Sequence, residues 1–448
     1  MIVMKFGGSS VESRKAIERV AGIVYQRRDQ HPVVVVSAMG KTTNRLLAIA
    51  ADAVAGKREA ALASLHELRE FHLRESKGLP AHDAMKSHFE ELGELIKGVA
   101  IMGEFTPRAS DAVSSYGERL SSLIVADVFV DWGMNARYLD SRSVIVTDRR
   151  HTQAAPLFEQ TNAKLARVAW GGVTVMGGFI ASTEDGVTTT LGRGGSDYTA
   201  SIVGAGIGAV EIQIWTDVDG MLTSDPTILP GGYRVKACSF AEAAELAYFG
   251  AKVLHPATVL PAIEKNIPVR ILNSRRPESE GTLITAEAPK GSDPVRAIAC
   301  KKNITLVNIV STRMLMAHGF LRRIFEVFDR FETPVDMLAT SEVSVSLTID
   351  DTRALAAIRA EIETFADVSI EENLAIVCMV GENLRRTPGV AARIFQALGD
   401  IDVRMVSQGA SRLNLSLIVA AADLRLAVES LHRELFRSPD LAAFEISA

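Results

Sequence analysis

Only three cysteines occur in 448 residues, Cys238, Cys300 and Cys378, and none lies within sixty residues of another. That spacing excludes a CxxC pair and argues against a disulfide framework, so a reducing compartment, the cytoplasm, is expected. No apolar run approaches the roughly 18 residues that a bilayer-spanning helix needs. The opening Met1-Ile2-Val3-Met4 lacks the basic-then-apolar layout of a secretory signal, so neither membrane insertion nor processing is expected. Nor is there an excess of positive charge: 49 Lys plus Arg stand against 54 Asp plus Glu, a net charge of −5. Counterion release, which drives non-specific nucleic-acid binding, has no source in such a chain. Any polyanion it binds must be small and held locally.

What is present is ordinary folded protein, 47% hydrophobic and 23% charged, long enough for about three domains. Up to about residue 275, short β-branched runs alternate with longer helical patterns, the signature of crossover units and an α/β fold with a mostly parallel sheet between helical layers. Strands are expected at 2–6, 33–36, 143–146, 173–176, 211–215 and 269–272. Helices are expected at 14–28, 44–75, 81–101 and 111–130. The Gly-, Pro- and Ser-rich stretch 277–294 reads as a connection out of this domain. Beyond it the sequence repeats with a period of 70. ITLVNIV (304–310) lies over LAIVCMV (374–380), and GFLRRIFEVF (319–328) over GVAARIFQAL (389–398). Each copy reads strand, glycine turn, helix, two strands and a second helix, a unit that buries a marginal core alone and therefore pairs, within one chain or between chains. The expected boundaries are 1–295 for the large domain, 296–372 for the first small module and 373–448 for the second. Small paired modules after a larger α/β domain suggest regulation.

Several segments carry chemistry. Lys5-Phe6-Gly7-Gly8-Ser9-Ser10 ends a strand with a lysine, two glycines and two hydroxyls. Glycines let backbone N–H groups approach an anion and Lys5 adds a full charge, although a plain turn carries Gly-Gly too, and the Walker spacing is absent. Gly192-Arg193-Gly194-Gly195-Ser196-Asp197 is a second such loop at a helix start. Its Asp197 has use for a cation, a substrate ammonium or, through water, Mg²⁺; a plain helix cap is the competing account. Between them lie Ser37 to Asn44 and the Ser115-Tyr116-Gly117-Glu118 segment, where a glutamate near a helix start serves equally as a dipole partner. Trp215-Thr216-Asp217-Val218-Asp219-Gly220 ends a strand in carboxylates, where ligands of open sheets sit. Phe249 to Pro256 offers Lys252 as a further phosphate lysine.

In order and wording, KFGGSSV (5–11), SYGERLS (115–121), TTTLGRGGSDYTA (188–200), WTDVDG (215–220) and FGAKVLHP (249–256), followed by the paired tail, resemble the monofunctional, lysine-sensitive aspartate kinases. These have an amino-acid-kinase fold followed by two βαββαβ ACT modules. The resemblance implies transfer of the γ-phosphoryl of MgATP to the β-carboxylate of L-aspartate, the first step toward lysine, threonine and methionine. By motif position, Lys5, Gly7, Gly8, Ser9 and Asp197 would be catalytic, and Ser37, Thr43, Glu118, Arg193 and Ser196 would hold aspartate. Thr216, Asp217 and Lys252 would contact ATP, and Mg²⁺ would ride on the nucleotide without a protein cage.

The chain departs from the family at Leu222, where an aromatic residue is usual, and at Thr227, where the family has arginine; Arg234 or Lys236 are substitutes for the missing charge. In the first module, Met314, Gly319, Phe320, Leu321, Val335, Asp336, Thr340, Ser341 and Glu342 match the lysine-binding segments, with Ala317 in place of the usual serine. Asp336 would meet the effector ammonium, whereas Arg404 stands near its place in the second module. L-lysine is thus the implied effector, and a homodimer through the ACT modules, or a homotetramer, the implied assembly. Two rival readings remain, a kinase of another small amino acid and a catalytically inert amino-acid sensor.

Overall fold

The computed structural model of the chain describes residues 1–250, 256–288, 294–311, 318–382, 384–409 and 411–446. It forms two compact units, one of residues 1–221, 236–240 and 253–288, the other of 222–235, 241–252 and 289–448.

In the first unit, strand β1 (Val3–Phe6) leads through a short turn to α1 (Arg14–Tyr25), whose start is capped by the Ser13 side chain accepting from the Ala16 N–H. Ile17, Val20 and Val24, at helical spacing, form its buried stripe. Strand β2 (Val33–Val36) is an unbroken valine run buried at every position, as a strand covered on both faces must be. A helical layer follows: α2 (Thr42–Val54), α3 (Arg58–Glu75), α4 (Ala81–Met102), α5 (Pro107–Ser114) and α6 (Tyr116–Asp131). Next come β3 (Ala136–Leu139), α7 (Phe158–Leu165), β4 (Val173–Gly177), the hairpin β5 (Ile180–Ser182) and β6 (Thr188–Thr190), α8 (Gly195–Ile207) and β7 (Ile212–Thr216). After β8 (Arg234–Val235), which belongs to the second unit, come β9 (Ala237–Ser239), α9 (Phe240–Tyr248), whose residues 241–248 also belong to the second unit, α10 (Leu260–Glu264), β10 (Val269–Asn273) and β11 (Thr282–Thr285).

The main sheet runs β3-β4-β2-β1-β7-β10-β11-β9, parallel from β3 through β10, with β11 antiparallel to β10. The carboxyl ends of β1, β2, β4, β7 and β10 therefore share one edge, where ligands of open α/β sheets bind.

Three local expectations change. The helix expected over 44–75 is two helices, because Gly56 takes φ +78, a left-handed value that ends α2. The helix expected over 111–130 starts earlier and is divided between α5 and α6 at Ser115. The strand expected at 143–146 is a 3-10 turn, Ser141–Ser143, followed by isolated bridges at Val146 and Thr147. There the Asp140 carboxylate accepts from the Arg142 N–H at 3.0 Å and the Ser141 hydroxyl donates to the Gly177 carbonyl, local bonds that compete with a sheet ladder.

The second unit carries the repeat. Its elements are β12 (Ala297–Val310), α11 (Phe320–Arg330), β13 (Leu338–Thr340), β14 (Ser344–Ile349), α12 (Leu355–Ile362), β15 (Asp367–Val380), α13 (Val390–Leu398), β16 (Val403–Gln408), β17 (Asn414–Ala420), α14 (Leu424–Leu435) and β18 (Phe444–Glu445). Six strands form one sheet, β13-β14-β12-β15-β17-β16, and β18 pairs with β8. β12 and β15 are antiparallel along their whole length: Ala297 faces Val380 at one end and Val310 faces Asp367 at the other. The second copy therefore borrows its closing strand, while the first is closed by its own. Residues 367–371 close the first copy beside β12, and residues 297–301 close the second beside β15. The pairing register shifts next to Asn303, and Asn303 and Asn373, seventy residues apart, share φ near +60. Val307, Ile324, Phe328, Leu347 and Ile358 form the core of the first copy. All three cysteines are free and buried. Among the described residues no helix is long and apolar enough to cross a membrane.

Candidate active site

At the carboxyl edge of the first unit's sheet, a cavity of about 390 Å³ is lined by Lys5, Ser37, Thr43, Asn44, Glu118, Phe179, Arg193, Ser196 and Asp197, with the glycines of the 192–195 turn. Lys5 is the penultimate residue of β1, and its Nζ lies 2.7 Å from Asp197 Oδ1. Asp197 stands in the first turn of α8, where the helix dipole favours a negative charge. The turn that delivers it needs glycine: Gly192 and Gly194 have φ of +74 and +71. Arg193 between them is exposed, and among the described residues no carboxylate pairs with it, so its fork is available to a ligand. The Ser37 hydroxyl, at the end of β2, donates to the Ser196 hydroxyl at 3.0 Å and joins the two loops.

Glu118 is drawn to the cavity by close packing of α6. A Cβ on Gly117 would stand 2.7 Å from the Ala38 Cβ and 3.1 Å from the Thr43 Oγ1, so only glycine lets this helix approach the end of β2 and the start of α2. Glu118 is 4% exposed, and its Oε1 accepts the Ala38 N–H at 3.1 Å. Its Oε2 is buried and takes no hydrogen bond from the described residues. Burial pushes its carboxyl up to about 8, against the pull of the Ala38 N–H. A buried carboxylate with one vacant oxygen suits a ligand's ammonium group.

The loop after β1 is shaped by a neighbouring chain segment. A Cβ on Gly8 would meet the carbonyl oxygens of Gly40 and Ala38 at 2.8 and 2.9 Å. Gly7 spends its N–H on the Trp215 carbonyl at 3.2 Å, and Ser9 lies half-buried in the 3-10 turn Gly8–Ser10. These three border Lys5 in sequence without lining the cavity. Thr216 and Asp217, at the end of β7 beside β1, also lie outside the cavity lining; the Thr216 hydroxyl donates to the Asp217 carboxylate at 3.2 Å. Nearby, Asp219 is committed to Asn273 Nδ2 at 2.7 Å and to Arg276. Lys252 lies outside the described residues. Of the proposed substitutes for the charge missing at Thr227, Arg234 is buried and paired with Glu445, so its charge is spent within the second unit.

The cavity lining adds Phe179, which the sequence motifs do not contain, and Asn44, which lies in the Ser37 to Asn44 segment without an assigned role. Phe179 follows Gly177-Gly178 at the end of β4, and its left-handed φ of +65 is held by its N–H donating to Thr199 Oγ1 at 3.0 Å. An aromatic residue after a strand ending in two glycines was the available signal. Asn44 sits one residue past Thr43, in the first turn of α2.

In the second unit, Asp336 Oδ1 accepts Lys301 Nζ at 2.6 Å and the Tyr248 hydroxyl at 3.3 Å, while Lys301 also reaches Asp350 at 2.8 Å. Asp336 Oδ2 is buried with no donor among the described residues. Burial raises the Asp336 carboxyl, and Lys301 opposes that shift. Val335 packs against the core of the first copy. Gly319 takes φ +81 at the start of α11, followed by Phe320 and a partly exposed Leu321. Thr340, Ser341 and Glu342 are exposed, with the Ser341 and Ser344 hydroxyls 2.6 Å apart. Met314 lies outside the described residues. In the second copy, Arg404 pairs with Glu371 and Asp402.

Comparison with known proteins agrees with this architecture. The profile of the amino acid kinase family matches residues 1–273, and that of the ACT domain matches 307–365 and 377–435, again seventy residues apart. Aspartokinase 1, chloroplastic, of Arabidopsis thaliana is 39% identical over 461 residues, covering 98% of this chain and 81% of that protein. Lysine-sensitive aspartokinase 3 of Escherichia coli is 36% identical, covering 97% and 99%. The crystal structure of Escherichia coli aspartokinase III in complex with aspartate and ADP, an R-state, superposes with a TM-score of 0.82 at 35% identity, covering 97% of this chain and all of that one.

Proposed function

The chain belongs to the amino acid kinase family, among the aspartokinases that carry ACT domains, and from that premise we propose that it phosphorylates the β-carboxylate of L-aspartate with MgATP. The observation that carries this reading is the single cavity in which Lys5, Arg193, Glu118 and Asp197 converge, two cations and two acids around a space for one small zwitterion. Arg193 grips a substrate carboxylate in its fork, and Glu118 and Asp197 receive the ammonium. A β-carboxylate oxygen forms a bond to the γ-phosphorus as the bond from that phosphorus to the bridging oxygen of ADP breaks. The nucleophile is already ionised, so no proton has to be removed and catalysis rests on alignment and charge neutralisation. Lys5, oriented by Asp197, supplies the protein's positive charge at the migrating phosphoryl group. Mg²⁺ enters with the nucleotide; among the described residues no group of three or more His, Cys, Asp or Glu is placed to hold a metal. Thr216, Asp217 and Lys252 are the proposed nucleotide contacts.

The test is MgATP-dependent acyl-phosphate formation, trapped with hydroxylamine, on aspartate and on glutamate. Hydroxamate with aspartate is expected, and none with aspartate would sink the reading.

L-lysine is the proposed feedback effector, acting at the first ACT copy. The support is the buried, donor-free Oδ2 of Asp336 beside Lys301, an acceptor suited to a second ammonium. Residues 1–295, 296–372 and 373–448 are the proposed functional divisions. A cytoplasmic homodimer through the ACT modules is the proposed state, supported by the apolar Leu338 and Val406 exposed on the edge strands β13 and β16.

A further inference from the structure

One buried carboxylate near the cavity has no part in the roles above. Asp111, on α5, is 1% exposed, and both its oxygens are occupied. Oδ1 accepts from the Thr190 hydroxyl at 2.5 Å and the Thr152 N–H at 3.0 Å; Oδ2 accepts from His151 Nδ1 at 2.7 Å and again from the Thr152 N–H at 3.1 Å. A histidine nitrogen facing a carboxylate carries the hydrogen, so His151 donates through Nδ1. Three chain segments are thereby tied to one anion. The first is α5, which runs through Ser115 into α6 and so to Glu118. The second is the loop at His151 and Thr152, where Thr152 holds a left-handed φ of +72. The third is the end of β6, where Thr190 precedes the Gly192-Arg193 turn and its carbonyl also accepts the Ala154 N–H at 2.9 Å. That turn rests on the loop: a Cβ on Gly192 would come within 3.2 Å of the Thr152 carbonyl oxygen.

Glu118 and Arg193 are the proposed grips on the substrate's ammonium and carboxylate, and both descend from segments fastened to Asp111. One methylene in a substrate is worth only about 1–3 kcal/mol of discrimination in a pocket that merely fits it. Telling a four-carbon from a five-carbon amino acid therefore depends on holding both grips at a fixed place relative to Lys5, so that the reach of the side-chain carboxylate toward the phosphoryl group decides. A buried, fully bonded carboxylate is a rigid tie, because vacating any of its donors leaves a desolvated polar group. We propose that Asp111 is a positioning residue that fixes the Arg193 turn and the Glu118 helix in place, and with them the length of amino acid whose side-chain carboxylate reaches the phosphoryl group. The inference rests on the aspartate reading of that site.

The test compares Thr190→Val, which deletes one donor, with Thr190→Ser, which keeps it, and adds Asp111→Asn. Each is assayed for kcat and for KM toward aspartate, glutamate and MgATP, alongside a thermal melt. Displacement of a grip by about an ångström can cost up to about a hundredfold. The expected result is a KM for aspartate raised about tenfold in Thr190→Val with the KM for MgATP within about twofold, a narrowed preference for aspartate over glutamate, and rescue of both by Thr190→Ser. Unchanged KM and preference in Thr190→Val with only a lowered melting temperature would reduce Asp111 to a structural brace and overturn the proposal, as would parallel shifts for aspartate and MgATP. If Asp111→Asn fails to fold, the two Thr190 variants decide. If the wild-type protein phosphorylates glutamate and not aspartate, the aspartate reading falls, while the same KM shift and rescue on glutamate still support the positioning role.

Discussion

Substrate binding should expel a proton from Glu118. In the ligand-free cavity its carboxyl is buried and pushed up to about 8, so at pH 7 it is about nine-tenths protonated. An ammonium group at the vacant Oε2 favours the ionised form and brings the pKa down, so the bound complex has lost that proton. Ionising the group first costs about 1.4 kcal/mol at pH 7, and aspartate should bind about tenfold more weakly for each pH unit below 8. The assay is titration calorimetry with aspartate at pH 7 in two buffers of different ionisation enthalpy, whose difference in heat counts the protons released. About 0.9 proton per aspartate is expected for the wild-type protein and close to none for Glu118→Gln, which should also bind far more weakly because it presents no charge to the ammonium. Equal heats in both buffers for the wild-type protein, or release undiminished in Glu118→Gln, would refute the assignment of Glu118 as the ammonium acceptor.

The same residue predicts a pH-dependent stability. The folded pKa of Glu118 lies above its ordinary 4.5, so the folded state binds more protons than the unfolded one between those values. Stability therefore falls as pH rises from about 4.5 to about 8, by up to about 1.4 kcal/mol per unit, and Glu118→Gln should gain melting temperature over wild type at pH 8 and lose the advantage at pH 5. Gly8→Ala places a Cβ within 2.9 Å of two carbonyl oxygens and should cost about 1–3 kcal/mol in a denaturant titration, with reduced kcat/KM from the displaced 37–40 loop. Asp336→Ala should abolish lysine inhibition with turnover intact in the hydroxamate assay; unchanged inhibition would reject the site. Lys301→Ala frees the same carboxylate and should lower the half-inhibitory lysine concentration about five- to tenfold, the worth of a partly exposed ion pair of about 1 kcal/mol. Excess chelator should abolish turnover and leave the melting temperature unchanged, the outcome required by the proposal that the metal rides on the nucleotide; a lowered melting temperature would refute it.

Much of the site was legible because its groups hang on strand ends. Lys5 closes a run of β-branched and apolar residues, Ser37 follows a valine strand, and the 192–197 turn announces itself by three glycines before a helical pattern. Parallel crossover units bring such ends to one edge by topology, so local signals sufficed to gather distant residues. Asp111 gave no such signal. It sits mid-helix in a polar stretch, and its partners are 40 and 79 residues away, joined to it by loop geometry that periodicity does not encode.

The repeat shows the complementary limit. A period of 70 in the sequence identifies two equivalent copies, and the backbone keeps that equivalence at Asn303 and Asn373 and at Gly319 and Gly389, each pair with nearly the same positive φ. Equivalence in sequence does not say which copy supplies which strand. Because β12 and β15 are each fourteen residues long, twice what one copy uses, their antiparallel pairing lets residues 297–301 close the second copy and residues 367–371 the first. The same pairing places Lys301, from the segment that serves the second copy, against Asp336 of the first. An ammonium already sits at the first copy's acid, and a guanidinium, Arg404, occupies the matching region of the second, tied to Glu371 and Asp402. One copy thus retains a buried carboxylate oxygen without a donor among the described residues, and the other presents a cation whose partners are in place. A ligand bearing an ammonium would find an unfilled acceptor at the first copy, whereas at the second the carboxylates Glu371 and Asp402 are already engaged by Arg404, which is why the proposed effector site is placed on the first copy.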